Sequence, residues 1–339
     1  MKKRLFLCLI SYSLCFTLLA GCGGTPSPSA PQVPADSLSA GTSGTDSAEK
    51  PPAASPLEEA SADVFRDTAP YVPLPEAPGT VTCGNDVVTI DSSNAGDGYI
   101  CVSYTGTCPK VKLILTGPDD YKCTYDISGN GFEAFPLTAG NGSYIVGIYE
   151  NIVDTSYSTC FTTSLQISLT DEFAPYLRPS QYCAYTETTK SVKLASELSK
   201  YVDTDLSLVS EVYNYIIENI DYDHDKATAA VSGSLTGYIS DIDASLEAGK
   251  GICLDYAAIM TSMLRSQRIP TRLEVGYAGD AYHAWISVYL KEIGWVNGII
   301  QFDGKSWSLM DPTFGASTGE EELKKFIGDG SNYTVKYIY

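Results

Sequence analysis

Short β-rich runs separated by turn residues dominate the sequence between residues 80 and 170. Seven runs follow one another: VVTI, YICVSYT, KVKLILT, YKCTYDI, FEAFPLT, SYIVGIYE and TTSLQISL. Stretches such as Gly117-Pro118-Asp119-Asp120 and Gly140-Asn141-Gly142 lie between them, and their residue types favour tight turns. About seven strands at this spacing predict an antiparallel β-sandwich-like domain over residues 80–172. Since this region contains no histidine, we expect it to be a spacer or a binding module.

The first 22 residues have a different character. Three basic residues at positions 2–4 precede an apolar run over residues 5–20, which leads into the sequence LAGC with Cys22 as its last residue. A basic start, a short apolar stretch and small residues before a cleavage point are typical of a secretory signal, and LAGC resembles the lipobox of bacterial lipoproteins. The apolar run is shorter than the ~20 residues of a transmembrane helix. We therefore expect residues 1–21 to be a signal peptide and Cys22 to be lipidated. The lipid would anchor the protein in the cell envelope, on the outer face of the cytoplasmic membrane or on the outer membrane where one exists.

Residues 22–79 are rich in Pro, Ser, Ala, Thr and Gly and contain few large apolar side chains. Such a segment cannot bury enough apolar surface to offset its conformational entropy. We interpret it as a disordered tether between the lipid and the folded domains. The whole chain has a formal net charge of −19, which excludes nucleic acid as a natural partner because both carry negative charge.

Six cysteines lie in or beside the β-rich region: Cys83, Cys101, Cys108, Cys123, Cys160 and Cys183. An even number of cysteines in an exported protein favours disulfides. The alternative is a set of buried thiols that act as small apolar side chains. No pair has the close spacing of a zinc site.

From about residue 191 the apolar residues follow a helical period. The predicted apolar face of the first helix, over residues 192–202, comprises Leu194, Leu198 and Tyr201. That of the second helix, over residues 207–220, comprises Val209, Val212, Tyr213, Ile216 and Ile220. These helices begin a predicted α+β domain over residues 173–339.

Cys253 is the only cysteine after Cys183 and follows the turn Gly249-Lys250-Gly251. Good helix formers come after it until Ile269-Pro270 ends the helix. A thiol in the first turn of a helix is favoured as the nucleophilic thiolate, because the backbone N–H groups there are unpaired and the helix dipole is positive. A buried structural cysteine is the alternative.

The chain has two histidines. His224 lies in a stretch spaced like the start of a calcium loop, but Lys226 and Ser232 stand where such a loop needs Gly and Glu. We therefore interpret His224 as a solvated loop residue. His283 begins the predicted strand HAWISVYL, in which alternation places His283 and Trp285 on the face opposite the aliphatic side chains.

A second hairpin follows the histidine strand. The runs IIQF and KSWSLMDPTF are joined through Asp303-Gly304, a strong hairpin signal. Trp307, Leu309 and Asp311 alternate onto one face of the predicted strand. A carboxylate on a strand next to the histidine strand can hold the imidazole in the tautomer that accepts a proton from a thiol.

The blocks GKGICLDYAAIMTSMLRSQRIPTRLEVGY, HAWISVYL and WSLMDPTF together resemble the transglutaminase-like core, a branch of the papain-like cysteine enzymes. The resemblance covers roughly residues 205–315, and the blocks occur in the order of the family. It implies that Cys253 is the nucleophile, that His283 is the general base and acid, and that Asp311 orients the histidine. No metal or other cofactor is implied.

Two features depart from the family pattern. About ten additional residues, Lys291 to Ile300, follow the histidine strand, and we expect them to form a loop over the cleft. Leu254 stands where members often carry a polar residue. Tyr222 precedes the nucleophile at a distance similar to that in the family and is a candidate oxyanion donor beside the Cys253 N–H; a core tyrosine is the alternative. Trp285 is a candidate for the wall of the cleft, because it shares a face with His283; a core position is the alternative.

The expected activity is attack on an amide bond of a peptide, a protein or a cell-wall peptide, with an acyl-thioester intermediate. Hydrolysis is favoured over transamidation, because nothing in the chain resembles the additional domains of the animal cross-linking enzymes. The alternative from another class is a catalytically inactive cell-surface binding protein. The presence of all three residues, Cys253, His283 and Asp311, favours the enzyme.

The lipid anchor can be tested with the substitution Cys22→Ser. We expect the parent protein to enter the detergent phase of a detergent–water separation, because several acyl chains on one cysteine hold a protein stably to a membrane. The Cys22→Ser protein should remain uncleaved or be released from the membrane. Recovery of the parent protein in the aqueous phase would contradict the lipoprotein interpretation.

Overall fold

The β-rich runs are strands in the computed structural model, which describes residues 66–291, 293–297, 300–302, 307–309 and 333–339. The first part of this described chain has eight strands: β1 (Thr82–Gly84), β2 (Val88–Asp91), β3 (Tyr99–Tyr104), β4 (Val111–Thr116), β5 (Lys122–Ile127), β6 (Phe132–Pro136), β7 (Gly142–Val153) and β8 (Ser156–Ile167). The seven predicted runs correspond to β2 through β8, whereas the short β1 was not predicted. An N-terminal β-rich region is therefore confirmed.

These strands form two antiparallel sheets of four strands, in the orders β1-β2-β3-β6 and β5-β4-β7-β8. Burial alternates along β4, where Val111, Leu113 and Leu115 are buried and the residues between them are half-buried. This is the pattern of a strand with one fully covered face. The two sheets contact each other where the ring of Tyr125 on β5 meets Phe135 on β6, with the centroids 5.1 Å apart.

The expected disulfides are not formed, because all seven cysteines in the described residues are free thiols. Cys101, Cys123 and Cys183 are almost fully buried, with exposed fractions of 3%, 2% and 0%. Burial raises the pKa of Cys101 to about 11 and that of Cys183 to about 12. These three cysteines therefore act as small apolar side chains in the core, which is the alternative that the sequence left open.

The second part of the chain contains five α-helices within the described residues: α1 (Lys190–Ser199), α2 (Asp205–Asn219), α3 (His224–Val231), α4 (Ile242–Ala248) and α5 (Cys253–Arg265). The two helices predicted before Cys253 are confirmed as α1 and α2, and the helix predicted after it is α5. The short helices α3 and α4 were not predicted. In the described part of the chain, no helix has the length and apolar character needed to cross a membrane.

The predicted apolar face of α1 is confirmed in part, because Leu194 and Leu198 are half-buried against the core and Tyr201 is not, whereas that of α2 is confirmed in full. Tyr201 follows α1 and is 83% exposed, while Val192, Ala195 and Ser199 are buried. Small residues are buried there because α1 packs against α5, and the hydroxyls of Ser191 and Ser262 lie 2.7 Å apart across that contact. All five residues predicted for the buried face of α2 are buried.

A mixed sheet-and-helix layer follows these helices. Its main sheet is antiparallel and has the order β13-β12-β11-β16, formed by β11 (Thr271–Ala278), β12 (Ala281–Leu290), β13 (Gly294–Asn297) and β16 (Tyr333–Ile338). Helix α5 packs against β11 and β12. Two small sheets complete the described elements: β9 (Asp221–Tyr222) with β10 (Lys250–Gly251), and β14 (Ile300–Phe302) with β15 (Trp307–Leu309).

The expectation of a loop over the cleft at residues 291–300 is corrected, because residues 294–297 form β13 beside β12. Gly294 has a φ of 93°, a left-handed conformation that glycine adopts readily at a tight turn. Trp295 then packs away from the cleft, with its ring centroid 5.2 Å from that of Tyr176 and 3.7 Å from the guanidinium carbon of Arg272. These contacts explain why the segment continues the sheet.

The β-rich part and the helical part belong to one compact unit. The hydroxyl of Tyr176 donates to the Thr138 carbonyl at 2.8 Å, and the Thr138 hydroxyl donates to the Ile338 carbonyl at 2.9 Å. The rings of Tyr125 and Tyr339 meet with their centroids 5.5 Å apart. Contacts therefore cross the predicted domain boundary at residue 172, and two separate domains stay a prediction.

Arg265, the last residue of α5, joins three segments through one buried guanidinium group. Its side chain is fully buried and donates to the carbonyl oxygens of Arg178, Thr271 and Tyr339 at 2.7, 2.9 and 2.7 Å. A buried charge is tolerated only when it is well hydrogen-bonded. These bonds therefore fix helix α5 against the start of β11 and the end of the chain after β16.

The substitution Arg265→Met tests this junction. It retains an apolar stem of similar length but removes the donors, and we expect the free energy of unfolding to fall by about 3 kcal/mol, because unsatisfied buried acceptors cost about 1–3 kcal/mol each. The matched control is Arg268→Met, whose side chain is 40% exposed and should change stability by less than about 1 kcal/mol. Denaturant unfolding measures both. Equal effects of the two substitutions would contradict this role of Arg265.

Candidate active site

Cys253 is the first residue of α5 and is half-buried. Ile252 before it has extended backbone angles, with a φ of −103° and a ψ of 178°. The turn that precedes them needs glycine at position 251, since a Cβ there would lie 2.7 Å from the Cβ of Asp255. The absence of a side chain at Gly251 thus lets the backbone pass close to Asp255 as it enters α5. The thiol of Cys253 then lies in the first turn of that helix.

His283 lies near the start of β12, with 7% of its surface exposed. His283 stands opposite Gly276 of β11, so its backbone position is fixed by that strand; β13 pairs with β12 further along, at residues 287–290. The predicted helix and strand positions of the thiol and the imidazole therefore agree with the structure.

Cys253 and His283 line the same cavity, which has a volume of about 350 Å³. Its other described lining residues come from four parts of the chain: Tyr182; Ala230 and Leu235 to Tyr238; Ile252 and Leu254; and Val275, Tyr282, Ala284 and Tyr339. Two other cavities, of about 410 and 490 Å³, are larger. Their described linings include neither Cys253 nor His283, so the smaller cavity is the candidate for chemistry.

Asp311 lies outside the described residues, as does the predicted Asp303-Gly304 turn. The hairpin itself is present, because β14 pairs with β15 and Phe302 stands opposite Trp307. In the described part of the chain this hairpin is a separate two-stranded sheet, and β12 pairs with β11 and β13. The role of Asp311 stays a prediction.

Tyr222 lies in β9, directly opposite Gly251 of β10. The two short strands are parallel and bring Tyr222 beside the turn that leads to Cys253. Its half-buried ring packs against the apolar core and meets the ring of His224 at 5.1 Å. Among the described lining residues of the cavity Tyr222 does not occur. The oxyanion role and the core role therefore both stay open.

His224 is solvent-exposed as expected, but it is not in a loop. It is the first residue of α3, and the Asp223 side chain caps that helix by accepting from the Lys226 N–H at 2.9 Å. Asp223, one of the aspartates in the stretch spaced like a calcium loop, is therefore a helix cap. In the described residues, no group of three or more His, Cys, Asp or Glu side chains is arranged to hold a metal ion.

Trp285 stands on the same side of β12 as His283, and the two rings stack with centroids 6.2 Å apart. The side chain is only 3% exposed, and it packs edge-on against Tyr333 at 4.9 Å. It also hydrogen-bonds to Glu274, a buried carboxylate whose pKa is raised by burial. Trp285 does not occur among the described residues that line the cavity, and its place in the cleft wall stays a prediction.

A fully buried carboxylate, that of Asp255, lies two residues after Cys253, and the sequence did not indicate it. Asp255 Oδ1 accepts from the Tyr238 hydroxyl at 2.6 Å and from the Ser240 hydroxyl at 2.7 Å. Asp255 Oδ2 accepts from the Lys226 ammonium at 2.7 Å and from the Ile252 N–H at 2.9 Å. The bond to Ile252 is one half of a capping box, but Ile252 has no side-chain acceptor, so the sequence lacked the usual signature.

The charges within this network stabilise each other. Burial lowers the pKa of Lys226, but its hydrogen bonds to Asp255 and Tyr238 outweigh that effect and leave the pKa raised. The Lys226 ammonium also lies over the Tyr238 ring, 4.5 Å from its centroid. Asp255 therefore holds the start of α5, helix α3 and the Tyr238 wall of the cavity together.

Comparison with known protein families supports the sequence-based resemblance. Residues 192–298 match the model of the Transglutaminase-like superfamily. This segment includes Cys253 and His283, covers 107 of the 339 residues, and ends before Asp311. The predicted transglutaminase-like domain is therefore confirmed over these residues, within a mixed fold of many strands and some helices.

Solved structures show a more distant similarity. A "Putative Cysteine Protease from Cytophaga hutchinsonii" is 18% identical, with 69% of this chain and 78% of that chain covered and a TM-score of 0.32. A "putative protease from Parabacteroides distasonis ATCC 8503" is 16% identical, with 54% of this chain and 36% of that chain covered and a TM-score of 0.25. TM-scores this low do not define a shared arrangement. No curated protein matches the chain.

The substitution Asp255→Asn tests the buried network. It keeps the volume of the side chain but leaves the Lys226 ammonium without its carboxylate, and we expect the free energy of unfolding to fall by about 3–5 kcal/mol. Asp280→Asn is the control, because Asp280 is exposed in the turn before β12 and should matter by less than about 0.5 kcal/mol. Urea unfolding compares the two. A loss below 1 kcal/mol for Asp255→Asn would contradict the role assigned to this carboxylate.

Proposed function

We propose that this protein is an exported, lipid-anchored cysteine enzyme that hydrolyses amide bonds of peptides or proteins, including cell-wall peptides. Cys253 is the nucleophile, His283 is the general base and acid, and Asp311 orients the imidazole. Cys22 carries the lipid that keeps the enzyme at the cell envelope, and residues 22–79 are its tether.

The placement of Cys253 and His283 in one cavity carries this proposal. They are far apart in the sequence, and they come from a helix start and a strand start that the fold packs together. The match of residues 192–298 to the transglutaminase-like superfamily supports the same assignment. A helix start also suits the nucleophile, because the first backbone N–H groups of a helix have no intrahelical partner.

The reaction proceeds in two halves. His283 takes the proton of the Cys253 thiol, and the sulfur attacks the carbonyl carbon of the amide. The C–N bond breaks, and His283 gives the proton to the leaving amine. Water then attacks the acyl-thioester while His283 accepts a proton from it, and the carboxylic acid leaves as the proton returns to the sulfur.

The negative oxygen formed in each half needs hydrogen-bond donors. The backbone N–H of Cys253 at the start of α5 is one donor in this proposal, and Tyr222 is the candidate for the second. A primary amine in place of water would give transamidation by the same steps. Water is the proposed acceptor because it needs no second binding site.

Substitution of the three proposed catalytic residues tests the enzyme. We expect Cys253→Ala and His283→Ala to lower hydrolysis of a fluorogenic peptide-amide library by at least about 10³-fold, since each takes part in bond making. Asp311→Asn should leave a measurable remainder, because an orienting residue makes no bond itself. Repetition with a primary amine and mass analysis of the products distinguishes transamidation from hydrolysis.

Matched controls for this experiment are present in the chain. His224→Ala removes an exposed histidine, and Cys83→Ala removes a half-exposed thiol of the β-rich region; both should retain activity. Alkylation by iodoacetamide gives a second readout, because the thiolate is the reacting form. If His283→Ala leaves the pH dependence of Cys253 alkylation unchanged, the imidazole does not activate the thiol. The binding-protein alternative would then replace the enzyme.

A further inference from the structure

We infer that the cavity beside Cys253 receives a large, uncharged apolar or aromatic side chain of the peptide whose carbonyl group Cys253 attacks. This inference rests on the proposed function and adds the substrate class. It concerns the side chain next to the scissile bond, because the cavity that would hold it also contains the thiol and the imidazole.

The lining of the cavity carries the inference. None of its described lining residues is Asp, Glu, Lys or Arg. Leu235, Ile252, Leu254 and Val275 provide aliphatic surface, and four tyrosines provide aromatic surface. Leu254 is the residue at which the sequence departs from the family pattern, and it lies in this wall directly after the nucleophile.

The aromatic part consists of four tyrosines, Tyr182, Tyr238, Tyr282 and Tyr339. Burial raises the pKa of Tyr182, Tyr238 and Tyr339, and partial burial together with neighbouring tyrosines raises the pKa of the 59% exposed Tyr282 to about 12. All four phenols are therefore uncharged at neutral pH. Among the described lining residues, the cavity offers aromatic and aliphatic surface to a ligand, and no Asp, Glu, Lys or Arg side chain provides an opposite charge for an acidic or a basic one.

The size of the cavity limits the occupant to about one large residue. Its volume of about 350 Å³ is near the lower end of the range of ligand pockets, which is about 300–1,000 Å³. A large apolar side chain would gain from removal of its surface from water. A charged side chain would lose hydration without gaining a partner, which is the costlier exchange.

The wall is also held in place, so the cavity exists before a ligand enters. Tyr238 is fixed by its hydrogen bond to Asp255 at 2.6 Å and by the Lys226 ammonium over its ring. Tyr182 and Tyr339 pack against each other with their ring centroids 4.1 Å apart. A preformed apolar cavity discriminates between side chains without a prior change in conformation.

A panel of N-acetyl aminoacyl chloromethyl ketones with Phe, Leu, Asp or Lys side chains tests the inference. The Cys253 sulfur displaces chloride from each probe to form a C–S bond, and intact mass spectrometry gives the rate, with Cys253→Ala as the background. We expect the Phe and Leu probes to react at least about tenfold faster than the Asp and Lys probes, since apolar pockets discriminate by factors of about 10–200. The net charge of −19 would by itself speed the reaction of the Lys probe. Slow reaction of both charged probes would therefore be an effect of the cavity and not of the net charge.

The outcomes of the panel are distinguishable. Equal rates for all four ketones would overturn the inference and leave the proposed enzyme intact. Reaction of Cys253 with iodoacetamide but with none of the ketones would overturn the inference together with the proposed function.

A matched pair of arginine substitutions provides the second arm. Leu235→Arg places a positive charge in the wall at a half-buried position, and we expect it to lower the ratio of the Phe rate to the Asp rate at least about tenfold, because a nearby cation favours an opposite charge. Val231→Arg adds the same charge nearby, at a residue that is 92% exposed and is not part of the lining, and it should keep the parent ratio. An equal fall of the Phe-to-Asp rate ratio in both variants would overturn the inference, because the added charge would then act through the electrostatic field of the protein surface and not through the cavity wall.

Discussion

The geometry of the candidate site depends on one buried carboxylate, that of Asp255. An ionised carboxylate inside a protein loses several kcal/mol of hydration, and this loss must be offset by donors. Four donors do so here: the Lys226 ammonium, the Tyr238 and Ser240 hydroxyls, and the Ile252 N–H. They come from α3, from the segment before α4 and from the residue before Cys253. Because the Asp255 carboxylate needs these donors, it fixes the start of α5 and the Tyr238 wall of the cavity relative to each other.

The parts of the fold that could be predicted from sequence are those with a local cause. Seven strands of the β-rich region follow from alternation and turn chemistry, and α2 and α5 follow from helical periodicity and, for α5, from Ile269-Pro270 at its end. The same local rules placed Cys253 at a helix start and His283 in a strand. These local rules do not predict that the two residues share a cavity, because only tertiary packing of α5 against β12 brings residues 253 and 283 to one surface.

The parts that could not be predicted are decided by distant partners. The buried face of α1 consists of small residues because α5 approaches closely, so the larger Leu194 and Leu198 of the helical pattern are only half-buried. The sequence predicted a loop at residues 294–297, because it does not show the contacts of Trp295 with Tyr176 and Arg272 that accompany the strand there. Asp255 looked like an ordinary polar residue of a first helical turn, since three of its donors lie 15 to 29 residues away in sequence.

Reactivity and selectivity are assigned to different parts of the proposed enzyme. A thiol and an imidazole act on the carbonyl group, which is the same in every peptide bond, so they cannot select among side chains. Selection has to come from the wall around them, and the described residues of this wall include four tyrosines and no Asp, Glu, Lys or Arg. Leu254 belongs to this wall and also follows Cys253 directly. In the proposed enzyme, the departure from the family pattern at Leu254 therefore leaves the proposed chemistry of Cys253 and His283 unchanged and lies in the wall that would select the substrate side chain.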